Sequence, residues 1–267
     1  MNHLKQGTRL ILIVAFMAIL ATATGAEDKP IKALLVTGGC CHDYEHQKDI
    51  IKKGVEARAN VRIDIVYVND GSTEPKLPIY GHPDYANGYD VVIHDECSAD
   101  IKDPEVIQGV LRPHQNGIPG VNLHCAMHCY RFGDFGKPVA AGLPNSHWYE
   151  YLGLHSSGHG AQKPIATKFL DRENWITKDM ADWTTIDEEL YNNIEVADDT
   201  TRLATGSQEG DAKTPVVVWC HLYGEKKTRV FSTTLGHNND TVSDPRYLDL
   251  VTRGLLWAVN RPDALKK

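Results

Sequence analysis

The stretch Ile31-Lys32-Ala33-Leu34-Leu35-Val36-Thr37, running into Gly38-Gly39-Cys40-Cys41-His42, decides how the chain is read. Its short apolar run followed by two glycines has the form of a buried parallel strand feeding a tight turn. A helix follows over Gln47 to Ala59, with Ile50, Ile51 and Val55 at helical spacing. Val61 to Val68 (VRIDIVYV) alternates and is rich in β-branched residues, as a second strand should be. A polar loop spans Asn69 to Asn87. Tyr89 to His94 is a third strand, and Asp103-Pro104-Glu105 opens a helix with an N-cap, a first-turn proline and an acid. Gly117 to Leu123 is a fourth strand, with a short helix from Cys125. Pro138 to Ala197 reads as irregular, an inserted region setting specificity between Pro138 and Ile186. Val216 to Cys220 and Arg229 to Thr233 are late strands, and Asp244-Pro245 starts a final helix with one apolar face. Alternating strands and helices in this order imply an α/β protein with a parallel sheet covered on both faces.

The chain has 267 residues, 42% hydrophobic and 24% charged, with a net charge of -7. That balance, without clustered Lys and Arg, excludes a phosphate-backbone grip, so no nucleic-acid partner is expected. Lys5 and Arg9 precede the apolar run Leu10 to Leu20 and the small residues Ala21-Thr22-Ala23, the pattern of a secretory signal peptide. Residues 1–26 are therefore read as a signal and 27–267 as one domain, exported to the periplasm or cell exterior. No stable membrane span is expected after cleavage, with an uncleaved anchor as the alternative. A homo-oligomer is left open. Of the six cysteines, Cys40 and Cys41 are adjacent, and a bond between them is expected to be strained; the sequence favours buried or partly paired thiols.

In an open parallel sheet, ligands bind beyond the carboxyl ends of the strands. Those ends carry His42-Asp43, His94-Asp95-Glu96-Cys97, His124-Cys125 with His128-Cys129, and Gly236-His237-Asn238. Thirteen histidines are present, and these side chains with carboxylates bind zinc-like metals or move protons near neutral pH. His124-Cys125-Ala126-Met127-His128-Cys129 lacks the second cluster a zinc knuckle needs. Cys125 at a strand-to-helix elbow is a candidate nucleophile, although no flanking glycines allow a sharp turn.

The run LLVTGGCCHDY (34–44), GVNLH (120–124), YLGLH (151–155), DEELY (187–191), Pro215 to Trp219, RVFSTTLGH (229–237) and RGLLWA (253–258) occur in an order that resembles the ThuA-like, or trehalose-utilisation, family. The resemblance spans Ile31 to Asn260. It implies the fold of class I glutamine amidotransferases, an α/β, flavodoxin-like three-layer sandwich with a mostly parallel sheet, and a role in carbohydrate catabolism beside dehydrogenases that make 3-keto sugars. It points to His42, His124, His155, Glu189 to Tyr191, Gly236 and His237. A Gly-x-Cys-x-Gly elbow and a downstream His-Pro-Glu are missing, so glutamine hydrolysis is not expected. Cys40, Cys41 and Cys125 depart from the family's usual residues.

The expectation is thus an exported enzyme acting on a small carbohydrate, a sugar or 3-keto sugar, by lyase, hydratase, isomerase or hydrolase chemistry. His42, His124 and His237 are the acid and base candidates, with Glu189 orienting one of them. A divalent metal such as zinc would be held by His124, His155, Glu189 and His237. Asp43, Tyr191, His155, Trp219 and Asn238 are substrate-binding candidates, and Trp148 is a further stacking platform. The alternatives are a non-catalytic carbohydrate-binding domain and a Cys125-dependent hydrolase.

Overall fold

The computed structural model describes residues 29–266, so the expected signal peptide lies outside the described residues. The chain runs β1 (Ile31–Gly39), α1 (Tyr44–Arg58), β2 (Val61–Val68), β3 (Val91–Cys97), α2 (Pro104–Gln115) and β4 (Gly120–Leu123). A 3-10 turn (His124–His128), α3 (His147–Leu152), β5 (Leu154–Phe169), β6 (Trp183–Val196) and β7 (Thr201–Ser207) follow. The chain then closes with β8 (Val216–Tyr223), β9 (Thr228–Thr233), α4 (Asn239–Ser243), α5 (Pro245–Ala258) and a 3-10 turn (Pro262–Ala264). Among the described residues, no helix is long and apolar enough to cross a membrane.

The nine strands among the described residues form one sheet, ordered β2-β1-β3-β4-β9-β8-β7-β5-β6. The pairs from β2 to β9 are parallel, and those from β9 to β6 are antiparallel. The sheet is therefore mixed, which corrects the expectation of a mostly parallel one. The cause is connection length. Parallel neighbours need a crossover of a dozen or more residues. Helix α1 supplies it between β1 and β2, a long loop between β2 and β3, and α2 between β3 and β4, but β6 to β9 are joined by turns and short loops with no helix between them.

Strand alternation builds the layers. In β1, Ala33 and Leu35 face α1 and α5, packing with Ile51, Val55, Val251 and Leu255. Leu34 and Val36 face the other side, with Leu77, Ile79 and Val92. Further along, Ile107, Val110 and Leu111 of α2 pack with Trp148, Tyr151 and Trp219. Burying each such aliphatic or aromatic side chain contributes about 1.5–3 kcal/mol. Asp103 and Asp244 cap α2 and α5, accepting from the Glu105 and Arg246 backbone N–H groups at 2.9 and 2.8 Å.

The region read as irregular holds the two longest strands. In β5, the stretch from Ser157 to Pro164 is largely exposed and carries Gly158, Gly160 and Pro164, and its pairing with β6 has repeated register shifts. A bulged, solvent-facing strand has no apolar alternation to read. β5 pairs with β7 only through Ala166–Phe169. Its earlier residues, with β6, form an arm over the 3-10 turn after β4, tied there by His128 Nε2 to Ser156 Oγ at 2.9 Å.

Candidate functional site

Three strand ends and the arm converge. The turn after β1 carries His42, the residue after β4 is His124, and the loop after β9 carries His237. Their ring centroids stand 4.7 Å (His42 to His124), 4.7 Å (His42 to His237) and 5.4 Å (His124 to His237) apart. Each ring offers one nitrogen to a common point, all within 4.8 Å of one another. Glu189 of β6 closes the group, with His124 Nε2 at 3.4 Å and His237 Nδ1 at 3.3 Å. The structure thus assembles four residues that span nearly two hundred positions of sequence.

Local backbone explains each placement. Gly38 and Gly39 have φ of 135° and 103°, and Cys41 has φ 81°. A Cβ on Gly39 would lie 2.4 Å from the Cys97 carbonyl oxygen, so only glycine lets β1 and β3 end side by side. His124 itself adopts φ 40°, supplying a sharp elbow without flanking glycines. Such conformations cost about 1–3 kcal/mol and persist where surroundings over-determine them. The His237 loop is held by buried Glu188, whose carboxyl oxygens accept the backbone N–H groups of Gly236, His237 and Asn238 at 3.2, 2.9 and 3.1 Å. Adjacent residues on a strand point to opposite faces, so Glu188 grips the loop while Glu189 faces the imidazoles.

Hydrogen bonding sets which ring atoms point inward. His124 Nδ1 donates to the Thr234 carbonyl at 2.6 Å, which leaves Nε2 with its lone pair directed at the cluster. The Gln162 amide lies 2.8 Å from His237 Nε2, leaving Nδ1 on the inner side. His42 Nδ1, His124 Nε2 and His237 Nδ1 are all buried without a hydrogen-bond partner. Burial, then the neighbouring His124 and His237, pushes His42 down to about 2. Burial pushes Glu189 up, but its close pairing with His124 and His237, at 3.4 and 3.3 Å, outweighs it and holds the carboxyl well below the usual range. The same pairing raises His237. The result is a set of inward-facing imidazole nitrogens around an anionic oxygen.

That donor set fits a divalent cation of the zinc type. Three imidazoles with a carboxylate match its preferred ligands, and a bond such as that from His124 Nδ1 to a carbonyl is the usual way of fixing the ligating nitrogen. Orphaned buried nitrogens otherwise cost about 1–3 kcal/mol each.

A cleft of about 520 Å³ opens above His42 and His237, lined by Asp43, Ile186, Asn238, Asn239 and Asp240. Asp43 accepts from Asn239 Nδ2 at 2.7 Å and pairs with His46 at 2.8 Å. Asn238 Nδ2 donates to the Asp187 carbonyl. On the other side of Glu189, His159 Nε2 lies 3.6 Å from Oε2. His159 borders a second cleft of about 540 Å³ with Asn192, Asn193 and Lys213.

Several expected residues lie elsewhere. His155 stacks on Tyr149 at 3.8 Å and bonds the Phe135 carbonyl at 3.0 Å, away from the other imidazoles, so it is not in the ligand group. Trp219 and Trp148 are fully buried, with their Nε1–H groups donating to the Leu152 and Ala126 carbonyls at 2.7 and 2.8 Å. Neither can stack on a sugar. Tyr191 is buried under His128, its ring 4.1 Å away and parallel. It supports the site from below. Cys125 packs against Tyr44 and Cys97, and a hydrogen bond to Cys97, with burial, pushes its thiol well up. Activation of a nucleophile requires the opposite shift. Cys40 and Cys41 are joined in a disulfide, against expectation; the left-handed φ of Cys41 and the glycines before it shape the turn that accommodates the ring. Sequence reasoning missed His159, Gln162 and Glu188. The adjacent acids of DEELY were the available signal, since two faces of one strand imply two separate partners.

Fold and site together define an α/β protein whose histidine–carboxylate centre sits at the carboxyl end of a parallel half-sheet, under an antiparallel arm. The chain belongs to the ThuA family, described as trehalose utilisation, whose profile matches residues 32–258. Among solved structures it is similar to a ThuA-like protein from Parabacteroides merdae, with 19% identity, TM-score 0.65 and coverage of 90% of this chain and 92% of that one. A ThuA-like protein from Bacteroides uniformis gives 16% identity and TM-score 0.61, covering 94% and 98%. A glutamine amidotransferase from Thermotoga maritima gives 12% identity and TM-score 0.43, covering 86% and 96%. A comparison with curated proteins finds no match.

Proposed function

We propose that this chain is an exported, metal-dependent enzyme that abstracts a proton beside a carbonyl of an oxidised sugar, in a lyase or isomerase reaction. The observation that carries the reading is the convergence of three buried imidazole nitrogens within 4.8 Å of one another, two of them beside Glu189. His42, His124 and His237 would hold the cation, with Glu189 beside them. A bound divalent cation would polarise the carbonyl oxygen and stabilise the negative charge that develops on it. Sugar as the substrate class rests on the family's description and on polar groups suited to hydroxyls, namely Asp43, Asn238 and Asn239 at the cleft.

His159 is the base. Its ring is half exposed and is not one of the three converging imidazoles. Its Nδ1 donates to the Gly160 carbonyl at 3.0 Å, which orients the ring and leaves Nε2 as the basic nitrogen, with Glu189 Oε2 at 3.6 Å to stabilise the imidazolium that forms. Tyr191 fixes the plane, lying 5.7 Å from His159 and nearly parallel. The arm over the site excludes water from the face on which Glu189 and Tyr191 are buried, which strengthens each electrostatic contact there.

The test is metal analysis of the purified protein, then incubation with trehalose and its 3-keto derivative. Bound metal, turnover of the keto sugar alone, loss of metal in His124→Ala and loss of turnover with metal retained in His159→Asn are expected. Full activity in protein stripped of metal would sink the proposal.

A further inference from the structure

We propose that the Cys40–Cys41 disulfide and the Cys97 thiol form a second chemical site, a thiol–disulfide exchange centre in which the bond moves between Cys40–Cys41 and Cys40–Cys97. Cys40 Sγ lies 3.5 Å from Cys97 Sγ, while Cys40 and Cys41 are bonded. The sheet dictates this approach. Gly39 and Cys97 are lateral partners at the ends of β1 and β3, so the residue after Gly39 is delivered onto the Cys97 side chain.

The surroundings separate an attacking group from a leaving group. Cys97 is buried beside Tyr44 and Cys125, and a hydrogen bond from Cys125 lowers its thiol against the opposing effect of burial. Cys41 is exposed, so a thiolate released there meets water. Among the described residues, Cys129 and Cys220 are not competitors. Cys129 is pinned, accepting from the Ser98 N–H at 3.1 Å and donating to the Glu96 carbonyl at 3.0 Å, and Cys220 is buried on β8.

The step balances without an external oxidant. Cys97 thiolate attacks Cys40 Sγ, the Cys40–Cys41 bond breaks, the Cys40–Cys97 bond forms, and Cys41 leaves as a thiolate that takes a proton from solvent. The number of disulfides and thiols is unchanged. Cys41 immediately precedes His42, so exchange releases the backbone next to that imidazole from its ring. The proposal rests on the contact between the Cys40 and Cys97 sulfurs and stands independently of the metal reading. Because the three sulfurs lie within 4.8 Å of one another, a side-chain rotation brings Cys97 into line with the Cys40–Cys41 bond before attack.

The folded full chain, purified without reductant, is incubated with iodoacetamide at mildly alkaline pH and its disulfides are mapped by mass spectrometry. Carbamidomethylated Cys41 together with a Cys40–Cys97 linked peptide is expected. In Cys97→Ser, Cys41 labelling should fall roughly tenfold and the linked peptide should vanish. Should Cys97→Ser not fold, Cys41→Ser treated with oxidised glutathione reads the same contact, and a Cys40–Cys97 bond with release of two reduced glutathiones is expected. Equal Cys41 labelling with and without Cys97, an intact Cys40–Cys41 bond throughout, or only a glutathione adduct on Cys40 would overturn the proposal.

Discussion

Replacing Glu188 by Gln keeps the shape of the side chain and removes one acceptor oxygen. In the native protein, one carboxyl oxygen accepts from Gly236 and His237 at 3.2 and 2.9 Å and the other from Asn238 at 3.1 Å. The amide oxygen of Gln can keep the first pair, and its NH₂ then faces the Asn238 N–H, donor against donor. Hydrogen bonds to charged groups contribute about 1.5–3 kcal/mol each, and neutral ones about 0.5–1.5. Losing one and weakening two gives a destabilisation of about 3–5 kcal/mol at this buried position. Urea unfolding followed by tryptophan fluorescence measures it, and the melting temperature should fall by about 10 °C. Because the same bonds hold the His237 backbone, zinc affinity should drop about 10–100-fold, as for other supporting groups of metal ligands. Stability within about 1 kcal/mol of the native protein would refute the view that Glu188 secures this loop.

Zinc at about one hundred times its dissociation constant should stabilise the native protein by about 2.7 kcal/mol, seen as a higher melting temperature, and the shift should disappear in His42→Ala. Gly39→Ala sets a Cβ 2.4 Å from the Cys97 carbonyl oxygen at φ 103°, so it should destabilise by about 2 kcal/mol or more, measured by chemical unfolding. Burial, then His94, pushes His114 down from 6.5 to about 3. The unfolded chain takes that proton first, so its contribution is present above pH 6.5 and is lost as pH falls toward 3. At about pH 5 the loss is about 2 kcal/mol, and acid unfolding of His114→Gln should show a correspondingly shallower slope between about pH 6.5 and 5. An unchanged slope would mean that His114 titrates normally.

The parallel half of the fold was legible because β1, β3, β4 and β9 are largely buried on both faces and appear as compact apolar runs, while the edge strand β2 alternates. Asp103-Pro104 and Asp244-Pro245 marked their helices for a local reason, a carboxylate capping the next free N–H groups. The arm was illegible because β5 is exposed over Ser157 to Pro164 and interrupted by bulges. At the site, His42, His124 and His237 were findable from strand ends alone, since the rule about carboxyl ends depends only on topology. His155 misled because it stands beside a strand start rather than an end; its ring is turned onto Tyr149. His159 escaped because its role depends on register with Tyr191 across a bulged pair, a relation that exists only after the arm has folded. Trp219 and Trp148 show the limit of composition: an indole suits a sugar face, but both serve as core filler.

The division of the sheet into a parallel half and an antiparallel arm separates two design problems. His42, His124 and His237 come from the scaffold, whereas Glu189, His159 and Gln162 come from the arm. A different arm on the same scaffold would therefore change the residues around Glu189 and leave the three imidazoles in place.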